Sequence, residues 1–144
     1  DVHQAYGDVD SKRVEVRPFL DDMPRRIAEA DLVIARAGAT TVAELACVGR
    51  PALFIPFPFA ADDHQAANAR SLVEAGAALM VREASLDEDR LFEMVSDLMT
   101  DGVRLAEMAR RARARGKPQA ADSIVRDLAQ LAGLDHPVGE SARC

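Results

Sequence analysis

The stretch Gly38-Ala39-Thr40-Thr41-Val42-Ala43-Glu44 carries the residue types that hold an anion. Gly38 lets the backbone turn sharply and keeps a side chain out of a ligand's way. Thr40 and Thr41 can cap the helix that follows. The N–H groups of Ala39, Thr40 and Thr41 then lack intrahelical acceptors and sit at the positive end of the helix dipole, an arrangement that suits a diphosphate. Glu44 falls one turn further along, and a carboxylate there can accept from both hydroxyls of a ribose. The same spacing, Thr41-x-x-Glu44, is also a capping box, which would turn the glutamate onto its own backbone. Glu44 cannot easily do both, and the sequence leaves both readings open.

A second group is Ala60 to Asn68, AADDHQAAN. Asp62-x-x-Gln65 has capping-box spacing. His64 and Gln65 also fall in the first helical turn after a proline-rich loop, where two hydrogen-bonding side chains could read sugar hydroxyls. Phe19-Leu20 reads either as core packing or as a backbone edge that pairs with a flat heterocycle while Phe19 shapes the pocket. The cluster Arg104, Arg110, Arg111, Arg113, Arg115 and Lys117 reads as a solvated helix face, with attraction to an anionic lipid surface as the alternative. The sequence contains no Ser/His/Asp set, no paired acid/base carboxylates, no Walker loop and no GxGxxG.

The elements that must position these groups alternate. Arg13 to Pro18 is predicted to be a strand ending at Phe19-Leu20, because Val14 and Val16 alternate with Glu15. Asp21-Asp22 opens a short helix with Met23, Ile27 and Ala30 inward. Asp31 to Ala35 is an apolar strand, and the helix after Gly38 buries Val42, Leu45 and Ala46 at i, i+3, i+4. Gly49 stops that helix, and Pro51 leads into the strand Ala52-Leu53-Phe54-Ile55. Asp62 or Asp63 caps a helix over 63–74 that closes at Gly76, and Ala78 to Val81 is another strand. Ser85-Leu86-Asp87-Glu88 opens a helix with Leu91, Met94, Val95, Leu98 and Met99 inward; Gly102 breaks it. Val103 to Gly116 is the basic helix. Ala120 to Leu131 is amphipathic, with Ile124, Leu128 and Leu131 on one stripe. Val2-His3-Gln4 reads as a strand stub, and residues 133–144 read as a flexible tail. Strands alternating with helices, then helices alone, indicate a Rossmann-like α/β domain, a doubly wound parallel sheet with a helical C-terminal end.

At 144 residues the chain is about one domain. A net charge of −6 and the absence of an aromatic-and-basic surface argue against a nucleic-acid partner. Cys47 and Cys144 form no disulfide framework, which favours a reducing compartment. His3, His64 and His136 match no metal motif. No apolar run approaches the roughly 20 residues that span a bilayer.

Taken together, the strings PFLDDM, ADLVIARAGATTVAELACVGRPALFIPFP, DDHQAANAR and EAGAA, in this order, resemble the donor-binding domain of the MurG family of N-acetylglucosaminyltransferases. The resemblance runs from about Val2 to Leu131. It implies the GT-B architecture, two Rossmann-like domains flanking a cleft, of which residues 1–132 would be part of the C-terminal one. Leu20 would meet uracil through its backbone, with Phe19 beside it. Gly38, Ala39, Thr40 and Thr41 would lie on the diphosphate of UDP-N-acetylglucosamine, and Glu44 on the ribose. His64 and Gln65 would face the sugar, with Asn68 near them. The acceptor would be a lipid-linked muramoyl-pentapeptide, met at the inner face of the bacterial membrane by a cytoplasmic, peripheral enzyme that inverts the anomeric carbon. No cofactor and no metal are implied. The acceptor domain, the general base and a first donor-domain strand with a Gly-Gly-Ser loop are absent from this sequence. The chain alone is therefore expected to bind donor weakly and to catalyse nothing. Another GT-B enzyme, such as a glycolipid synthase, or a non-catalytic UDP-sugar-binding module are the rival readings; a nucleotide-dependent oxidoreductase lacks its fingerprint.

Overall fold

In a computed structural model, the structure describes Tyr6 and residues 13–134. The elements run α1 (Met23–Glu29), β1 (Val33–Ala35), α2 (Ala39–Val48), β2 (Ala52–Phe54), α3 (His64–Glu74), β3 (Ala78–Met80), α4 (Glu88–Thr100), α5 (Gly102–Arg115) and α6 (Ala120–Leu131). Short 3-10 turns over Ala61–Asp63 and Glu83–Ser85 follow β2 and β3. The three strands form one parallel sheet in the order β1-β2-β3, with Val33, Ala52 and Ala78 in one row and Ala35, Phe54 and Met80 in another.

Burial explains why these apolar runs are strands. Ala52, Leu53 and Phe54 are all fully buried, so β2 is covered on both faces, as a central parallel strand must be. Ala52 and Phe54 join Leu45 and Ala46 of α2, Ala69 and Leu72 of α3, Ile27 of α1 and Ala112 of α5 in one core. Each large apolar side chain buried there contributes about 1.5–3 kcal/mol. Leu53 points to the opposite face. Cover on that face ends towards β1, where Ile34, in the same row as Leu53, is 45% exposed.

The outer edge of β1 explains a correction. Val33 and Ala35 bond to Pro51 and Ile55 beside β2, so the peptide groups of Ile34 point away from it. Among the described residues nothing pairs with that edge. The predicted strand over 13–18 is accordingly irregular chain: alternation alone does not make a strand without a ladder to join. Glu15 is tied instead to Arg17 and Arg26. Val2-His3-Gln4 and the tail beyond residue 134 lie outside the described residues.

The helices needed further corrections. Asp87, not Ser85, caps α4, its carboxylate accepting from the Arg90 N–H at 2.8 Å. Gly102 begins α5 rather than merely breaking α4; the cap is Asp101, which accepts from the Arg104 N–H at 2.9 Å. Of the inward residues predicted for α1 only Ile27 is buried, and Met23 is exposed. Met99 of α4 is exposed as well. The stripe on α6 is formed, but Ile124, Leu128 and Leu131 are exposed, because no described element covers them. On the basic helix α5, Arg110 and Arg111 both bind Glu107 and hold its carboxyl down at about 2, and Arg113 donates to the Val48 carbonyl.

Gly49 is where α2 must stop. Its φ is 74°, and a Cβ there would stand 2.9 Å from Cβ and Cδ of Arg113. Gly49→Ala should therefore destabilise the chain by about 1–3 kcal/mol through left-handed strain and the clash with α5. Urea unfolding of the two proteins reads this directly, and an unchanged midpoint would contradict the packing of α5 against α2.

Candidate functional site

The loops that matter leave the carboxyl ends of the strands, where open α/β sheets bind ligands. β1 runs into Arg36-Ala37-Gly38 and then α2; β2 runs into the loop over 55–63 and then α3.

The threonines do not cap α2. Gly38 occupies the N-cap position with φ −63° and ψ 145°, and no side chain caps the helix. Ala39, Thr40 and Thr41 are its first three residues, and the first intrahelical bond runs from the Val42 N–H to the Gly38 carbonyl at 3.0 Å. The predicted Thr41-x-x-Glu44 capping box is thus not formed: with the boundary at Gly38, Glu44 is too far into the helix to reach back to the N-cap. Glu44 is exposed, one turn on from half-buried Thr41 and on the same side of the helix. A glycine N-cap leaves the first N–H groups of α2 to water or a ligand.

The reason for glycine at 38 also differs from a sharp turn. Its backbone angles are open to any residue, and a Cβ there would meet only Thr41 Oγ1, at 3.8 Å. The fold of the chain itself does not require glycine at this position. What an added methyl would fill is the space in front of the helix N-terminus.

At the second loop, the Asp62-x-x-Gln65 capping box is absent too. Asp62 (φ 49°) and Asp63 (φ 54°) are both left-handed, and Asp63 holds the N-cap position of α3 without a side-chain cap. His64 is the first residue of α3 and is exposed. Gln65 is half-buried, and its Oε1 accepts from the Phe57 N–H at 2.9 Å, which turns the carboxamide back over the loop and makes its NH2 the end a ligand could meet. Asn68 donates from Nδ2 to the Ala37 carbonyl at 3.1 Å. That bond ties α3 to the residue before Gly38. Ala39 and Asn68 line one open depression of about 200 Å³ between α2 and α3. Phe19 and Leu20 lie in irregular chain ahead of α1; Phe19 is 75% exposed and Leu20 half-buried, so Phe19 is not core.

Three charged residues to which the sequence reading gave no role, Arg36, Arg82 and Glu83, organise these loops together with Asp63. Arg36 Nη1 donates to the Ile55 and Pro56 carbonyls at 3.2 Å, pairs with Glu83 at 2.6 Å, and its guanidinium carbon stands 5.7 Å from the centre of the Phe57 ring. Arg82 pairs with Asp63 through two bonds of 2.6 Å. The Arg82 guanidinium holds the Asp63 carboxyl below the usual carboxylate range, so the pair is ionised at neutral pH. Each cation directly follows or closely follows an apolar strand, which is the signal that could have found it. An open cleft of about 390 Å³ lies beside them, lined by Ile34, Ala35, Arg36, Ile55, Glu83 and Leu86. Among the described residues, no group of three or more His, Cys, Asp or Glu side chains is placed to hold a metal ion. No described helix is long and apolar enough to cross a membrane.

Comparison with known proteins supplies the family. Residues 1–124 match the glycosyltransferase family 28 C-terminal domain. A UDP-N-acetylglucosamine--N-acetylmuramyl-(pentapeptide) pyrophosphoryl-undecaprenol N-acetylglucosamine transferase of Aromatoleum aromaticum is 49% identical over 118 residues, covering 82% of this chain and 32% of that protein. The protein of the same name from Burkholderia cenocepacia is 47% identical over 135 residues, covering 92% of this chain and 36% of the relative. The chain thus spans about a third of the length of these curated relatives. Among solved structures, Acinetobacter baumannii MurG superposes with a TM-score of 0.80 at 39% identity, over 90% of this chain and 38% of that one. A glycotransferase of kitacinnamycin superposes less closely, with a TM-score of 0.56 at 32% identity over 78% of this chain and 29% of that one. With its parallel sheet, its glycine-capped helix after β1 and the extent of these matches, the chain belongs to the family of glycosyltransferase family 28 C-terminal domains.

Proposed function

We propose that this chain is the donor-binding part of an inverting glycosyltransferase. The full-length protein moves N-acetylglucosamine from UDP-N-acetylglucosamine to a lipid-linked muramoyl-pentapeptide in peptidoglycan synthesis. The observation that carries the reading is Gly38: a glycine that the chain's own backbone does not need stands in front of a helix N-terminus that no side chain caps.

In this reading the N–H groups of Ala39, Thr40 and Thr41 hold the diphosphate. As the glycosidic bond to UDP breaks, negative charge grows on the leaving phosphate, and N–H dipoles already in place stabilise it without reorganising. Glu44, not engaged in a capping box, accepts from the ribose hydroxyls. Leu20 offers its backbone to uracil, with Phe19 beside it. Gln65, held by the Phe57 N–H, and His64 read the sugar, and Asn68 fixes the distance between the two loops through the Ala37 carbonyl. The general base and the acceptor site belong to a domain outside this chain. An enzyme of this kind would work peripherally at the cytoplasmic face of the membrane, where its lipid-linked acceptor lies.

Calorimetric titration with UDP, UDP-N-acetylglucosamine and UDP-galactose tests the reading. Tightest binding of UDP-N-acetylglucosamine supports it; equal binding of both sugars would point to a GT-B enzyme of other specificity. Gly38→Ala should leave the melting temperature within about 3 °C, since its Cβ meets nothing closer than 3.8 Å. The same change should weaken UDP binding about tenfold or more by obstructing the phosphate. Glu44→Ala in the full-length protein should raise the donor KM by the equivalent of about 1–3 kcal/mol of charged hydrogen bonding; an unchanged KM would remove Glu44 from the ribose. Gln65→Ala should blunt the preference for N-acetylglucosamine over its C4 epimer, and an equal loss for both sugars would deny it a part in sugar reading.

A further inference from the structure

Two consecutive residues of opposite charge leave the end of β3 and reach to different loops. Arg82 grips Asp63 with both terminal nitrogens, Nη1 to Oδ1 and Nη2 to Oδ2, each at 2.6 Å. Glu83 pairs with Arg36 at 2.6 Å. Asp63 stands immediately before His64 and Gln65; Arg36 stands two residues before Gly38. The Arg82-Glu83 dipeptide therefore connects the start of α3 to the turn that opens α2.

Stability does not account for these pairs. About half of every side chain involved is exposed, and ion pairs in that setting add little to folding. Their geometry is more telling. Asp62 and Asp63 hold successive left-handed conformations, which residues with a Cβ seldom adopt and which persist where surroundings over-determine them. The direction in which α3 leaves that turn sets where His64 and Gln65 point. A planar guanidinium bonded to both oxygens of one carboxylate fixes orientation as well as distance, which a single point charge does not. Arg36 adds the other end: its bonds to the Ile55 and Pro56 carbonyls hold the start of the same loop, and the Phe57 N–H at its edge holds Gln65.

We propose that Arg82 is a positioning residue for recognition of the sugar half of the donor: its two-bond grip on Asp63 holds the left-handed turn that aims His64 and Gln65, and Glu83 locks that turn to Arg36 beside the phosphate-binding helix. This rests on the donor-site reading given above. Arg82 touches no part of the donor. It sets the spacing between the part of the site that meets the diphosphate and the part that meets the sugar, so its loss should be felt by the nucleotide sugar and not by the bare nucleotide.

The test is calorimetric titration of the full-length protein carrying this segment, unsubstituted and as Arg82→Ala and Arg82→Lys, with UDP, UDP-N-acetylglucosamine and its C4 epimer. In Arg82→Ala, UDP affinity should stay within about twofold, while UDP-N-acetylglucosamine should bind about tenfold more weakly and lose most of its advantage over the epimer, the scale of a small misplacement of contacting groups. Arg82→Lys keeps the charge and the fold but offers no fork, and should show the same pattern to a smaller degree. Equal weakening of UDP and UDP-N-acetylglucosamine in both variants would overturn the proposal in favour of a general structural role. Unchanged binding of all three ligands would overturn it outright. An unsubstituted protein that bound neither UDP nor UDP-N-acetylglucosamine would reject the donor reading itself, a result separable from either of these.

Discussion

The constraint on which the rest depends is the complete burial of β2. Ala52, Leu53 and Phe54 have no exposure, so the strand needs a hydrogen-bonded neighbour on each edge and apolar cover on each face. β1 and β3 supply the edges; α2 and α3, with α1 and α5 behind them, supply the face that Ala52 and Phe54 meet. Parallel neighbours can be joined only by crossovers, so each strand must return through a helix, and each strand's carboxyl end must open into a loop before that helix starts. The site follows from this. The loop after β1 and the loop after β2 leave the same end of the sheet side by side because β1 and β2 are paired in register.

Two neighbouring loops do not yet make a binding surface; they have to be held at a set separation. The Asn68 amide on the Ala37 carbonyl and Arg36 on the carbonyls of Ile55 and Pro56 do this across the loops, while Gln65 on the Phe57 N–H braces the second loop internally. These are bonds between side chains and main chain. The surface they frame is polar at the helix N-terminus, where Gly38 leaves room, and carries alternate charges at the end of β3.

The fold was largely legible before the coordinates. Continuous apolar runs of four residues bounded by glycine, proline or charge gave all three described strands; apolar spacing gave the helices after β1 and β3, and an aspartate start with a glycine stop gave the helix after β2. The readings that failed share a cause. The strand over 13–18 and the inward stripe of α6 each have a sound local pattern, but pattern describes what a segment could bury, and burial needs a partner. Among the described residues β1 has no neighbour on its outer edge and α6 has no cover over Ile124, Leu128 and Leu131. The capping boxes failed for a narrower reason: a helix boundary one to three residues away from the assumed one removes the geometry on which the box depends, as at Gly38 and Asp63.

By itself the sequence determined the chemistry on offer and its order along the chain. A glycine, two threonines and a glutamate follow one apolar strand; a histidine, a glutamine and an asparagine follow the next. Spacing along a strand or a helix is short-range information, and it survives without the rest of the molecule. Only the tertiary structure decided which of those groups is available and what holds it. It freed Glu44 from a capping box, tied Asn68 to Ala37, and brought Arg82 and Glu83 back to Asp63 and Arg36. Those contacts join residues 19 to 47 positions apart, and no local preference encodes them: they exist because parallel pairing sets the carboxyl ends of β1, β2 and β3 beside one another, so the loops that leave them meet.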